Sequence, residues 1–374
     1  MKYKLKQIAE IINGSTPSTS NSEYWDGDIS WITPKDMSLQ MKRYISNGER
    51  NITQKGYDSC STTLVPKDTI LLTSRAPIGY ISIAQNELCT NQGFKSIICG
   101  DKVLPLFMYY WLSTKVDFLK SISNGATFKE LSKQALENVE IDLPNLETQQ
   151  HIVDTIGSVD DLIEKNDKII ELTKRYIHQI YRSFDFNSTE KTLQDEFNIS
   201  IGRTPPTKEH QWFDNGNYKW LSIKDMKIDG DFCFETSQYL TNEAVKKFNI
   251  PIVNPGDVLL SFKLTVGRIA ISNCNMVTNE AIACFKFKDE SLRWYLYCYL
   301  NNCNFLNDAD NTSSIGQAIN SSIIKKYKFL KPSNEKLTEF NNIVKPLFNY
   351  VKTKREENIY LLQSKQNLLK KYFG

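Results

Sequence analysis

Ile152, Ile156, Val159, Ile163, Asn166, Ile170, Thr173, Ile177, Ile180 and Phe184 recur at alternating spacings of four and three. That period keeps one stripe of a helix facing a partner for about five heptads, roughly 57 Å at about 1.5 Å per residue. A helix cannot bury such a stripe alone, so the chain must supply a second one. The same spacing returns in Phe340, Val344, Leu347, Val351, Lys354, Asn358, Leu361, Lys365, Leu368 and Tyr372, each 188 positions after its counterpart. The second line is more polar, and the constant offset is what identifies it. Two ordinary surface helices on separate cores would not need the length and regularity of the first stripe.

The offset runs through the whole chain, staying within one residue of 188. Gly14-Ser15-Thr16-Pro17 returns as Gly202-Arg203-Thr204-Pro205, and Trp31-Ile32-Thr33-Pro34-Lys35-Asp36-Met37 as Trp220-Leu221-Ser222-Ile223-Lys224-Asp225-Met226. Val65-Pro66-Lys67-Asp68-Thr69-Ile70-Leu71-Leu72 answers Asn254-Pro255-Gly256-Asp257-Val258-Leu259-Leu260, Gly79 answers Gly267, and Thr90-Asn91 answers Thr278-Asn279. Two copies at so long a period are a tandem domain duplication, not a solenoid. The expected organisation is a globular region over 1–143, a spacer helix over 144–186, a second globular region over 187–330 and a second spacer helix over 331–374.

With 374 residues, each half is long enough to bury its own core. No apolar run approaches the roughly twenty residues that span a bilayer, and Met1 to Glu10 has no signal-peptide core, so no membrane association is expected. The eight cysteines form no CxxC pair and have no histidine at metal-ligand spacing, which predicts reduced thiols in a cytoplasmic protein. A net charge of +3 permits a nucleic-acid partner only if the basic residues cluster in space.

Each globular region reads as mixed α/β, of α+β type. Residues 69–74, 80–84 and 94–98 have strand composition and are bounded by turns at Pro66-Lys67-Asp68, Ala76-Pro77-Ile78-Gly79 and Asn91-Gln92-Gly93. Residues 104–119 and 292–306 carry helical spacing and are expected to pack on the sheet, with Tyr109, Tyr110 and Trp111 in the core. Val139 to Leu143 reads as a strand that Pro144 ends, and Asn145 is the expected N-cap of the first long helix. The simplest burial of both stripes is an antiparallel two-helix coiled coil separating the globular regions, with an approximate two-fold axis. Two equivalent readers at a set separation suit a DNA duplex and, because the halves differ, an asymmetric bipartite target.

The words Gly14-Ser15-Thr16-Pro17, Trp31 to Met37, Pro66-Lys67-Asp68-Thr69-Ile70-Leu71 with Gly79, and Pro144-Asn145-Leu146-Glu147-Thr148-Gln149-Gln150-His151-Ile152 resemble the pattern of specificity subunits of type I restriction-modification systems. With its second-half echo, the resemblance covers nearly the whole chain. It implies two target-recognition domains, each reading one part of a split DNA sequence. It also implies spacer helices that bind two modification subunits, which use S-adenosylmethionine to methylate adenine, and a restriction subunit that can join for ATP-driven translocation and cleavage. The specificity chain itself would do no chemistry and hold no cofactor. The second spacer departs from the pattern: Pro332-Ser333-Asn334-Glu335-Lys336-Leu337 lacks the Glu-Thr-Gln-Gln word, and Lys354 and Lys365 enter the seam. The resemblance therefore says less about docking on the second spacer than on the first.

The residues agree that chemistry lies elsewhere. An adenine methyltransferase needs a polar residue, two prolines and an aromatic ring to hold the flipped base. Thr204-Pro205-Pro206-Thr207 lacks the aromatic, and Thr16-Pro17-Ser18 lacks the second proline. Asp225-Met226-Lys227 has one nuclease-like spacing that Asp36-Met37-Ser38 does not share, and no Walker sequence is present. His151, His178 and His210 have no evident nucleophile to serve.

Candidate DNA contacts are hydrogen-bonding and basic loop residues. In the first half they are Ser15, Thr16, Ser18, Lys35, Lys42, Arg43, Ser74, Arg75 and Asn91-Gln92; in the second, Arg203, Thr204, Thr207, Lys208, Lys224, Lys263, Arg268 and Asn279-Glu280. The competing reading for each is a solvated loop residue or turn former. Asp36 and Asp225 read as turn or cap residues, and Trp31 and Trp220 as core anchors. The halves differ most over Met37 to Val65 and Met226 to Pro255, where different base preferences could arise. Asp160, Asp161, Glu164, Lys165, Lys168, Glu171, Lys174 and Arg175 lie off the seam, on the face that would dock modification subunits. Two other classes stand against the DNA reader: a single-chain modification or restriction enzyme, distinguished by binding of S-adenosylmethionine to the chain alone, and a duplicated coiled-coil protein adaptor, distinguished by failure to shift DNA.

Overall fold

A computed structural model describes residues 1–40, 42–125, 129–226, 230–305 and 317–374. Lys227 of the nuclease-like word and Leu306 at the end of the expected second-half helix lie outside them. The chain divides into two compact units, Met1–Glu164 with Tyr360–Gly374, and Lys165–Ile359.

The first unit is built on a five-stranded sheet in the order Ala9–Asn13, Phe94–Cys99, Ile70–Thr73, Ile81–Ala84, Tyr44–Ile45. Its neighbours are antiparallel except the last pair, which runs parallel with Tyr44 opposite Ile83. The run Ile70-Leu71-Leu72 is apolar throughout because both faces of this central strand are covered. Ile70 and Leu72 point to a core formed with Phe107, Met108 and Trp111, while Leu71 points to a second core with Ile32, Met37, Ala84 and Phe94. A three-stranded sheet of Arg50–Ile52, Trp25–Ile32 and Cys89–Thr90 lies beyond.

The second unit repeats this order at the same offset: Phe197–Ile201, Ile282–Phe287, Val258–Ser261, Ile269–Ser272, Phe232–Cys233. Val258 and Leu260 face one core and Leu259 the other, as in the first copy. The smaller sheet has four strands here, Gln238–Leu240, Tyr218–Leu221, Met276–Thr278 and Ile252–Val253.

The expected helix over 104–119 is two helices, Pro105–Thr114 and Val116–Ser121, because Lys115 leaves helical geometry at φ −106°, ψ 8°. Its second-half counterpart is Arg293–Asn302. Tyr110 and Trp111 are core residues, and Trp31 and Trp220 are buried.

The long helices span Leu146–Ser183 and Asn334–Phe373. Asn145 caps the first, its Oδ1 accepting from the Thr148 amide at 2.8 Å. In the first unit, Ile152, Val153 and Ile156 share a core with Leu368, Leu369 and Phe373, and Lys365 Nζ meets Asp160 at 2.7 Å. In the second, Ile177 shares a core with Phe340, Val344 and Phe348, and the Asn166 amide donates to Asn358 Oδ1 at 2.9 Å. Numbers rise on one helix as they fall on the other, so the segments run antiparallel within each unit. Ile152, Ile156, Ile170, Ile177, Val344 and Val351 are buried, and Val159, Ile163, Ile180, Leu347, Leu361 and Leu368 are half-buried.

Candidate nucleic-acid interface

In each unit one junction carries the glycine turn. Trp31 anchors it in the first, its indole N–H donating to the Ser15 carbonyl at 3.1 Å. The Ser15 amide donates to the Thr90 carbonyl at 3.0 Å, the Asn91 amide to the Ile32 carbonyl at 3.0 Å, and Asn91 Oδ1 accepts from the Gly93 amide at 2.9 Å. The second unit makes the same bonds. Trp220 donates to the Arg203 carbonyl at 3.4 Å, the Arg203 amide to the Thr278 carbonyl at 2.9 Å, the Asn279 amide to the Leu221 carbonyl at 3.1 Å, and Asn279 Oδ1 accepts from the Ala281 amide at 3.2 Å.

Only glycine fits at the centre. A Cβ on Gly14 would lie 2.2 Å from the Asn91 carbonyl oxygen, and one on Gly202 would lie 2.2 Å from that of Thr278. Beside each junction an aspartate closes a turn. Asp36 Oδ2 accepts from the Thr33 amide and hydroxyl at 2.8 and 2.6 Å, and Asp225 Oδ2 from those of Ser222 at 3.0 and 2.7 Å. In the second unit burial would raise the Asp225 carboxyl, but hydrogen bonds from Ser222 and Ser237 hold it below the ordinary value.

Of the predicted residues, Ser15, Thr16, Asn91 and Gln92 come together at the first junction, where the Thr16 hydroxyl donates to Gln92 Oε1. Arg203, Thr204 and Asn279 come together at the second, where the Thr204 hydroxyl donates to Glu280 Oε2. Gln92 and Glu280 are exposed. Lys35, Ser18 and Lys42 are exposed in the first unit and Arg203, Thr207, Lys208 and Lys224 in the second. Lys35 pairs with Glu49 at 2.6 Å, and the Arg203 guanidinium donates to the Phe248 carbonyl at 2.8 Å. Arg75 and Lys95 lie 3.8 Å from Glu130, and burial lowers the Lys95 pKa. Lys263 lies over the Phe262 ring, 5.4 Å from its centroid.

Three expectations need correction. Ser74 is fully buried, its amide donating to Gly93 and its carbonyl accepting from Leu131, so it faces no ligand. Arg268 is turned inward, donating to the carbonyls of Ile223 and Met226 at 2.8 and 2.6 Å. Arg43 is buried and clasps Glu164 at 3.0 Å and Asp161 at 2.5 Å on the first long helix. Burial opposes its charge, but the hydrogen bonds it donates to both carboxylates and to the Tyr110 hydroxyl more than compensate and raise its pKa. Asp160 is likewise inward, accepting from the Tyr110 hydroxyl at 2.8 Å. Asp160 is thus buried within its own unit, whereas Asp161 and Glu164 pair with Arg43 while remaining exposed on the outer side of the helix.

Sequence reasoning missed the counterpart of Arg43. At offset 188 stands Asp231, 4% exposed, clasped by Arg355 at 2.8 Å and Lys174 at 3.6 Å. Burial would raise its pKa, but Arg355 and Lys174 hold it below the ordinary carboxylate value. Opposite charges at equivalent positions were the available signal. Among the described residues no three His, Cys, Asp or Glu side chains gather to hold a metal, and no helix is long and apolar enough to cross a membrane.

The geometry is that of a duplicated α/β chain carrying one loop junction twice. The sequence matches the type I restriction modification DNA specificity domain over residues 1–174 and again over 187–363. It is 34% identical over 401 residues to the type I restriction enzyme MjaIX specificity subunit of Methanocaldococcus jannaschii, covering 98% of this chain and 91% of that protein. It is 27% identical over 197 residues to the EcoR124I/EcoR124II specificity subunit of Escherichia coli, covering 49% of this chain and 47% of that one. The crystal structure of a type I restriction-modification S subunit from M. genitalium shares the fold, with a TM-score of 0.59 at 14% identity over 100% of this chain and 96% of that one. The chain belongs to the family of type I restriction-modification DNA specificity subunits.

Proposed function

We propose that this chain selects the DNA target of a type I restriction-modification complex, the region 1–143 reading one part of a split, asymmetric sequence and 187–330 the other. The helices over 144–186 and 331–374 serve as spacers whose solvent-facing sides dock two methyltransferase subunits, with a restriction subunit joining through the assembled complex. Methylation and cleavage belong to those partners, and the chain acts without a cofactor in the cytoplasm.

The observation that carries this reading is the repeated junction. Its buried bonds are the same in both units, while the polar side chains it carries differ: half-buried Ser15 against exposed Arg203, and exposed Gln92 against exposed Glu280. A scaffold kept constant under changing polar side chains is what two readers of different base pairs require, with exposed Lys42, Lys208 and Lys224 available for phosphates.

Mobility shift on duplex DNA, with the purified chain alone and with its methyltransferase subunits, tests the proposal. Retention of one family of duplexes over random competitors supports it. Equal retention of all duplexes, or none, refutes it in favour of a protein adaptor. Labelled S-adenosylmethionine bound by the chain alone would place chemistry within it instead.

A further inference from the structure

We infer that Gln92 and Glu280 determine the difference in base preference between the two halves, Gln92 reading adenine and Glu280 the amino group of cytosine in the major groove. The inference rests on the DNA-reading proposal above and assigns its chemistry.

Both residues stand at the same place in the duplicated junction, 188 positions apart, one residue beyond the asparagine that closes the turn. Both are exposed, and each accepts a hydrogen bond from the equivalent threonine of the glycine turn, Thr16 or Thr204. The threonine engages one oxygen, so on each of these exposed side chains the other terminal atom is left for a ligand. In Gln92 that atom is the Nε2 amide, a donor, beside an Oε1 with one lone pair still open. A donor next to an acceptor matches adenine, which presents N7 as acceptor and N6–H as donor. In Glu280 it is Oε1, so the carboxylate offers acceptors only. Cytosine presents a donor, N4–H, whereas guanine presents acceptors at N7 and O6 and is repelled.

A carboxylate on a surface that approaches phosphates costs affinity for every duplex. Its presence at the tip of the second junction is accounted for by what it excludes.

The test is selection from randomised duplexes by the full-length chain, alone and with its methyltransferase subunits, comparing the parent with Glu280→Gln and Gln92→Glu. Both changes are near-isosteric and at exposed positions. Glu280→Gln should turn a cytosine preference into an adenine preference at one base pair of one half-site, by about tenfold or more. Gln92→Glu should make the reverse change at one base pair of the other half-site. In each variant the half-site that was not altered serves as the control, since its retention shows that the chain is folded and bound. Identical motifs from all three proteins overturn the assignment while leaving DNA reading intact. A parent chain that enriches no motif overturns both.

Discussion

At Gly14 and Gly202 a methyl group has nowhere to go, because backbone oxygens lie 2.2 Å from where a Cβ would stand. Gly14→Ala and Gly202→Ala should each lower the unfolding free energy by about 2–3 kcal/mol, read as a lower denaturant midpoint. Trp31→Phe keeps most of the buried ring but removes the N–H bonded to the Ser15 carbonyl. The expected loss is about 1 kcal/mol, with faster amide exchange confined to residues 14–18. These residues were readable in advance because each belongs to a repeated word, and a word that returns at one offset marks a backbone geometry needed twice. Arg43, Ser74 and Arg268 were misread for the opposite reason. Their partners lie 19 to 121 positions away or are bare carbonyls, and spacing along a chain says nothing about such contacts.

The two clasps between sheet and helix have opposite polarity. In the first unit Arg43 reaches carboxylates of the helix Leu146–Ser183, and in the second Asp231 reaches Arg355 of the helix Asn334–Phe373. Removing Arg355 leaves a nearly buried carboxylate with Lys174 at 3.6 Å and the Phe232 amide at 2.7 Å in place of its closest charged partner, so Arg355→Ala should cost about 3 kcal/mol. Asp231 also sets an acid limit. Its folded pKa lies below its unfolded value of about 3.9, so its contribution is complete above that pH and is lost as pH falls through the lower folded value. Asp231→Asn should flatten the acid side of the stability profile of the second unit and leave neutral pH less stable. In the seam, Asn166 and Asn358 form a buried amide pair in which Asn166 Oδ1 has no partner. Replacing both with leucine should raise stability by about 1 kcal/mol and weaken the selection of a single register, visible as added species in sedimentation. The seam itself was readable because a 3.5-residue period admits one geometry. The break at Lys115 was not, because a run of apolar residues looks the same whether the helix continues or restarts.

At the scale of the whole chain, the duplication carried most of the prediction. Five strands recur in the same order at the same offset, so reading one half was enough to read both. What duplication leaves open is how the copies diverge in use, since identical frames tolerate different exposed side chains. The central claim is that the two copies read DNA independently. Base-resolution mapping of methylated adenine, in cells carrying this chain with the methyltransferase subunits proposed for it, tests it most directly. The account predicts a single asymmetric motif of two specified parts, with substitutions at the Gly14 junction altering one part and those at the Gly202 junction altering only the other. An uninterrupted motif, or one whose two parts both change when a single junction is altered, would contradict it.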